Sequence, residues 1–128
     1  MSGSAFIQSL AAERWNRLHP TKTAHVPYVS TVLGADGGPI VAATDWMKAL
    51  PDMVSRWLPP YYVSLGTDGF GRSDTREALR TLFEIDPPHI AAAALAELGR
   101  CGAMAPDKVA KAMATLDVDP SKLDPAAL

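Results

Sequence analysis

Two short apolar runs, separated by a stretch with helical periodicity, constrain the fold of this chain more than any other feature. Ile40 to Ala43 is bounded by turn residues, which is typical of a buried strand. Tyr61 to Leu65 is rich in residues that favour strands. Parallel strands need a crossover, and the helical stretch between the runs supplies one. The alternation of strands and helices predicts an α/β layered domain.

Apolar residues at helical spacing predict a first helix between Ser4, a possible N-cap, and Pro20. Its expected core face is Ile7, Leu10, Ala11, Trp15 and Leu18. Tyr28 to Leu33 fits either a short helix or a strand, and Ala35 to Pro39 is a turn.

A second helix is expected after Thr44 or Asp45, either of which can cap it. Its expected apolar face is Met47, Leu50, Val54, Trp57 and Leu58. Pro51 lies inside this pattern and requires the helix to kink or restart there. The three tryptophans, Trp15, Trp46 and Trp57, are expected in the core, with an interface as the second possibility.

The second half of the chain predicts three more helices. Ser73 or Asp74 caps the first of them, which has Leu79, Leu82 and Phe83 on its apolar face. Pro87 or Pro88 opens the next, with Ile90, Ala94, Leu95 and Leu98 turned inward and Gly99 or Gly102 at its end. Pro106 starts the last, with Val109, Met113 and Leu116 on one face. Two strands are fewer than a stable sheet usually needs.

Length and charge narrow the class of protein. The 128 residues suffice for one domain, which we assign to residues 1–116, with 117–128 as a surface tail. A net charge of −2 gives no basic surface for nucleic acid or for an anionic membrane, and no apolar run is long enough to span a bilayer. The single cysteine, Cys101, suits a reducing cytoplasm.

The most distinctive stretch is Gly66 to Asp74, a glycine-rich loop between a strand and a helix. Free amides at a helix start can bind an anion there. The sequence lacks both known phosphate-loop patterns, GxxxxGK[ST] and GxGxxG, so a structural turn is favoured.

The three histidines, His19, His25 and His89, have no metal-ligand spacing and are expected at the surface or in packing. Capping and turn formation explain the aspartates near helix starts or turns without catalysis: Asp36, Asp45, Asp68, Asp74 and Asp86.

Several stretches together resemble the homodimeric pyruvate dehydrogenases. Glu13 to Pro20 is similar to their ERWNxLHP sequence, and Val26 to Val29 follows at the same spacing. PIVAATDWMK, from Pro39, resembles a strand and helix start of that family. GTDGFGRSDTRE, from Gly66, is the most specific match, and Phe83 to Asp86 resembles the family's FEVD element.

This resemblance implies the third, transketolase C-terminal-like domain of a thiamine-dependent enzyme, with a three-layer α/β fold. In that family thiamine diphosphate and magnesium lie between the first two domains, and the acetyl group passes to the acetyltransferase component. The third domain supports the dimer. The implied partners are therefore the remaining domains, a second subunit and the acetyltransferase component. The residues that we expect at an interface are Gly66, Asp68, Gly69, Phe70, Gly71 and Arg72.

The family's cofactor motif, GDG followed by a paired NN, is not found in this sequence, in which Asn16 is the only asparagine. The resemblance therefore assigns no catalytic, cofactor or metal residue to this chain and predicts that it is inactive alone. It also predicts a domain that is incomplete at its N-terminal end, with an unpaired sheet edge and a tendency to self-associate. A fragment, a split gene and a misassigned start all fit this expectation.

Three functions compete on these grounds. The first is a part of a thiamine-dependent oxidoreductase. The second is a stand-alone, non-catalytic assembly module that docks onto the enzyme or its complex. The third is an unrelated small enzyme that uses Asp68 and a histidine. The sequence of motifs weighs against the third, and a neighbouring reading frame that encodes the missing domains would favour the first over the second.

Overall fold

A computed structural model describes residues 3–34, 37–67 and 76–125. The described residues form two compact units, and each unit is discontinuous in sequence. Unit 1 comprises Met1–Gly38 and Met53–Pro60. Unit 2 comprises Pro39–Asp52 and Tyr61–Leu128. No helix among the described residues combines the length and the apolar character needed to cross a bilayer.

Unit 1 consists of helix α1 (Gly3–Leu18), helix α2 (Tyr28–Leu33) and a 3₁₀ turn (Ser55–Trp57). The segment that fitted either a helix or a strand is therefore the helix α2. The core contains three buried residues, Ala5, Val29 and Trp57, with Phe6, Val54 and Leu58 packed against them. The ring of Phe6 meets that of Trp57 edge to face, with centroids 5.6 Å apart.

The buried side of α1 is not the apolar face that its sequence predicts. Ser9 is fully buried, and its hydroxyl donates to the carbonyl of Ala5 and accepts from the backbone N–H of Val29. These bonds satisfy its polar atoms inside the core. Ile7 and Leu18, by contrast, are 65% and 55% exposed. The predicted core face is wrong, as is the N-cap, because α1 begins at Gly3 and Ser4 lies inside it.

Unit 2 contains strands β1 (Ile40–Ala43) and β2 (Tyr62–Leu65), which pair in parallel. Ile40 lies opposite Tyr62, and Ala43 opposite Leu65. The helices are α3 (Ala49–Asp52), α4 (Arg76–Leu82), α5 (Pro87–Arg100) and α6 (Pro106–Ala114). Helix α5 packs on both strands and α6 packs on α5. The predicted strands, their parallel pairing and the α/β class are confirmed.

The single helix expected after Thr44 is interrupted. Helix α3 is one turn long, and the 3₁₀ turn that follows after a short gap belongs to unit 1. Pro51 lies in the first turn of α3, where its missing N–H needs no helical partner. Its ring would clash with the carbonyl of Met47 if the helix extended further back, so the helix restarts at Ala49. Of the predicted apolar face, Trp57 is buried, whereas Met47 and Leu50 are exposed. The apolar spacing that predicted one helix therefore runs through two separate elements: α3 in unit 2 and the 3₁₀ turn in unit 1.

Helix α5 forms as its sequence predicts. The Asp86 side chain caps it by accepting from the N–H of His89, and prolines occupy its first turn. Gly102, at φ +80°, follows its end in a conformation that favours glycine. Helix α6 approaches closely at Gly99, where a Cβ would lie 3.1 Å from Val109 Cγ2.

Candidate functional site

The carboxyl edge of the sheet brings together the ends of two motifs noted in the sequence. Beyond β1, the N–H of Thr44 donates to the carbonyl of Leu65 at 2.9 Å. Beyond β2, the N–H of Thr67 donates to the carbonyl of Trp46, also at 2.9 Å. Open α/β sheets place functional residues at this edge. The pairing holds the PIVAATDWMK segment against the start of the glycine-rich loop.

Gly66 is the tightest point of this edge. A Cβ on Gly66 would lie 2.5 Å from the carbonyl oxygen of Trp46 and 3.1 Å from Cγ of Lys48. Only glycine permits this approach, since real Cβ atoms do not come so close to backbone oxygen. The Thr67 hydroxyl adds a bond to the carbonyl of Asp45. The first residue of GTDGFGRSDTRE is thus required by close packing.

The rest of the predicted loop lies outside the described residues: Asp68, Gly69, Phe70, Gly71 and Arg72. The same is true of the proposed caps Ser73 and Asp74. Of the six predicted interface residues, the structure describes only Gly66, which directly follows β2. The interface role of the other five stays a prediction.

A small cavity of about 200 Å³ opens beside this edge, lined by Ala43, Thr44, Asp45, Arg80 and Ile85. The carboxylate of Asp45 lies 3.6 Å from the Arg80 guanidinium. Both side chains are exposed, so this ion pair is screened by water and contributes little to stability. It provides polar groups of both signs at the mouth of the cavity.

Apolar side chains are exposed in the segment that Gly66 contacts closely at Trp46. Trp46 is 60% exposed, and Met47 and Leu50 are about half exposed. Aromatic residues and methionine are enriched where proteins meet. The default expectation of a core tryptophan is wrong for Trp46, and its second reading, an interface, fits this exposure.

A polar cluster joins the end of α4 to the start of α5. The Asp86 carboxylate contacts Nδ1 of the buried His89, and Nε2 of that ring lies 3.9 Å from Glu84. Burial acts to raise the pKa of Asp86, but hydrogen bonds from the side chain and backbone of His89 outweigh it and lower that pKa. Lys122 donates to the last carbonyls of α4, those of Thr81 and Leu82. These contacts cap helix ends and attach the C-terminal segment.

Four residues of the ERWNxLHP stretch, Glu13, Trp15, Asn16 and His19, make contacts within unit 1. Glu13 accepts from Nε1 of Trp57 at 2.7 Å and pairs with Arg56. The amide of Asn16 bonds both backbone groups of His25, at 2.8 and 2.6 Å. Trp15 lies between the rings of His25 and His19, with centroids 3.7 and 4.3 Å away. Both histidines are exposed, as expected, and sequence reasoning missed their stacking because it brings together residues from a helix and a loop.

The described residues do not fit a magnesium-bound cofactor. Within that part of the chain, no group of three or more histidine, cysteine, aspartate or glutamate residues is placed to hold a metal. Asn16, the single asparagine, uses both ends of its amide on the backbone of His25. An oxygen-ligand site for magnesium needs several such groups converging on one point.

A parallel strand pair with a helix packed on both strands defines a small α/β domain. The chain belongs to the transketolase-like TK C-terminal domain family, which it matches over residues 7–86.

The relatives that share this segment are pyruvate dehydrogenase E1 components. The chain is 46% identical over 117 residues to the pyruvate dehydrogenase E1 component of Pseudomonas aeruginosa, covering 91% of this chain and 13% of the relative. It is 46% identical over 114 residues to that of Escherichia coli K12, covering 88% of this chain and 13% of the relative. For Mycobacterium tuberculosis the identity is 42% over 97 residues, covering 76% of this chain and 10% of the relative. The resemblance noted in the sequence is confirmed, and the chain spans about one eighth of the length of the first two relatives.

Proposed function

We propose that this chain serves as the non-catalytic C-terminal part of a thiamine-diphosphate-dependent pyruvate dehydrogenase E1. The observation that carries the proposal is the 46% identity to the pyruvate dehydrogenase E1 component of P. aeruginosa over 91% of the chain. The fold supports it, because Glu13 and Asn16 of the ERWNxLHP stretch are engaged in structural contacts. The chain would complete a larger protein and would contain no reaction centre of its own.

Thiamine diphosphate, when bound elsewhere in such an enzyme, supplies the carbanion chemistry that removes carbon dioxide from pyruvate. The residues of this chain would act at a distance from that chemistry. The close contact of Gly66 with Trp46 and the hydrogen bonds of Thr67 fix the first two residues of the glycine-rich stretch against the PIVAATDWMK segment. The exposed Trp46, Met47 and Leu50 would pack against a neighbouring domain or a second subunit.

The partners that we propose are the remaining domains of the enzyme, the second subunit of a homodimer, and the acetyltransferase component that receives the acetyl group. We place the protein in the cytoplasm, where the single cysteine, Cys101, would remain a free thiol. No nucleic-acid or membrane partner is proposed, in keeping with the net charge of −2.

The test is an exchange enzyme, defined here as the P. aeruginosa E1 with its matching segment replaced by this chain. We expect it to retain pyruvate dehydrogenase activity, while the same enzyme with the segment deleted loses most activity. The purified chain alone is expected to bind no thiamine diphosphate with magnesium in a calorimeter. An inactive exchange enzyme that is folded and binds its cofactor, or a deleted enzyme of full activity, would refute the proposal. So would micromolar cofactor binding by the chain alone.

A further inference from the structure

The outward side of α1 combines an apolar stripe with a charge. Ile7 and Leu18 are the most exposed large apolar residues on this helix, and Ala11 is exposed between them. Leu10 and Leu18 lie four residues before and after the exposed Arg14, so all three share one side of the helix. The face that the apolar spacing marks on α1 is therefore exposed to water in this chain.

A groove continues this face toward α2. It has a volume of about 630 Å³ and is lined by Gln8, Ala11, Ala12, Trp15, His25, Val26, Tyr28 and Thr31. The small side chains of Ala11 and Ala12 let another backbone come close, while Trp15 and Tyr28 provide aromatic walls. Val26 and Tyr28 are largely exposed. Exposed apolar surface of this kind marks an interaction site.

Arg14 determines what can cover the face. It makes no ion pair with any residue that the structure describes. Covering the stripe would take its guanidinium out of water, which is costly unless a carboxylate meets it. The occupant must therefore be apolar and must place an acidic side chain opposite Arg14.

A second copy of the chain does not meet this requirement. In a two-fold dimer the same surface would face itself, so the carboxylate would have to come from this surface. Glu13 is the one acidic residue on α1, and it is held by Arg56 and Trp57. None of the described residues that line the groove carries a carboxylate.

We propose that this face docks another segment of the E1 polypeptide, apolar and carrying a carboxylate that pairs with Arg14. The inference rests on the proposed function. The face falls within residues 7–86, the part that matches the family. The matched segment is 13% of the P. aeruginosa relative, so most of that polypeptide is available to supply the occupant.

Thiol labelling tests the docking directly. In a Cys101→Ser background, Ile7→Cys places a probe on the face, and Lys108→Cys places a matched control on the exposed side of α6. We expect both thiols to react rapidly in the isolated chain. In the exchange enzyme we expect the Ile7→Cys thiol to react about tenfold or more slowly, while the control keeps its rate.

Charge reversal tests the carboxylate. Arg14→Glu is expected to restore rapid labelling of the Ile7→Cys thiol in the exchange enzyme, because two carboxylates would then repel each other. Lys22→Glu, an exposed reversal in the loop after α1, is expected to leave the protection intact. Protection that survives Arg14→Glu would overturn the pairing.

A probe that stays equally reactive in the isolated chain and the exchange enzyme would overturn the docking. Protection in the isolated chain that grows with its concentration would show a second copy as the occupant, and would also overturn it. Activity separates this inference from the proposed function: an active exchange enzyme with an open face refutes only the docking, and an inactive one with a protected face refutes only the function.

Should the exchange enzyme not fold, overlapping peptides that span the P. aeruginosa E1 outside its matching segment serve as probes of the isolated chain. We expect a peptide with both apolar and acidic residues to protect the Ile7→Cys thiol and to lose this effect with Arg14→Glu. A peptide set that gives no protection at the highest soluble concentration would overturn the proposal.

Discussion

The indole Nε1 of Trp57 donates a hydrogen bond of 2.7 Å to Oε1 of Glu13, which lies 44 residues earlier in the chain. Trp57 is buried against Ala5 and Val29, so this bond satisfies its one polar atom at the edge of the unit 1 core. The other carboxylate oxygen of Glu13 pairs with Arg56. One glutamate thereby joins α1 to the 3₁₀ turn.

We expect Glu13→Ala to lower the free energy of unfolding by about 2 kcal/mol, because the Trp57 N–H would lose its acceptor in a partly buried place. Glu13→Gln keeps an acceptor and loses only the charge, so its cost is expected to be about half as large. Urea unfolding of the purified chain measures both, with Arg17→Gln on the exposed side of α1 as the control. Equal stability of Glu13→Ala and the unchanged chain would contradict this account.

Alanine substitutions at three glycines distinguish the stability cost of lost close packing from that of backbone strain. Gly66→Ala would bring its Cβ into the carbonyl of Trp46, and we expect a loss of about 3 kcal/mol. Gly102→Ala meets no atom but keeps φ near +80°, so about 1 kcal/mol is expected. Gly38→Ala has open space and no positive φ, and it serves as the neutral control. Thermal unfolding of the three variants should rank them in that order, and any other order would show that the packing argument fails.

The raised pKa of Tyr62 predicts that the fold loses stability at alkaline pH. Burial, followed by the negative charge of Asp52, raises the pKa of Tyr62 to about 12. The protonated phenol is favoured in the fold, so its contribution is complete below the ordinary pKa of about 10 and is lost as the pH rises toward 12. We expect Tyr62→Phe to reduce this alkaline decline in urea unfolding curves. A decline of unchanged steepness in that variant would argue against Tyr62 as its source.

The lowered pKa of Asp86 predicts that the fold also loses stability at acidic pH. Its pKa is lowered in the fold, so its contribution is present above the ordinary carboxyl pKa and is lost as the pH falls through the lowered value. Asp86→Asn retains an N-cap but not the charge and is expected to flatten the acid decline. Asp86→Ala also loses the cap, at a further cost of about 1 kcal/mol. Acid titration of ellipticity compares the three chains; coincident curves would exclude this role.

The strands and α5 could be predicted because their determinants are local. Turn residues bound Ile40 to Ala43, and the cap, prolines and terminal glycine of α5 all act within a few residues of its ends. The placement of Gly66 at the sheet edge followed from the same reasoning.

The core of unit 1 could not be predicted in this way. Apolar spacing in α1 predicted a core face, whereas the side of this helix that is buried in unit 1 carries Ala5 and Ser9. The bonds of Glu13 with Trp57 and of Asn16 with His25 join distant positions and leave no local pattern. Pro51 allowed either a kink or a restart, and only tertiary packing decides between them.

The two units alternate along the sequence, because the second segment of unit 1 follows the first segment of unit 2. This order has a consequence for synthesis on the ribosome. Both helices of unit 1 leave the ribosome before the strand β1, yet Trp57, which closes their core, follows only after β1 and α3. Until then Phe6 is the one large side chain of α1 and α2 that packs on Ala5 and Val29, and a nascent helix as short as α2 is marginal in water. Maturation of the first unit is therefore postponed until part of the second has been translated, so the order of folding does not follow the order of the sequence.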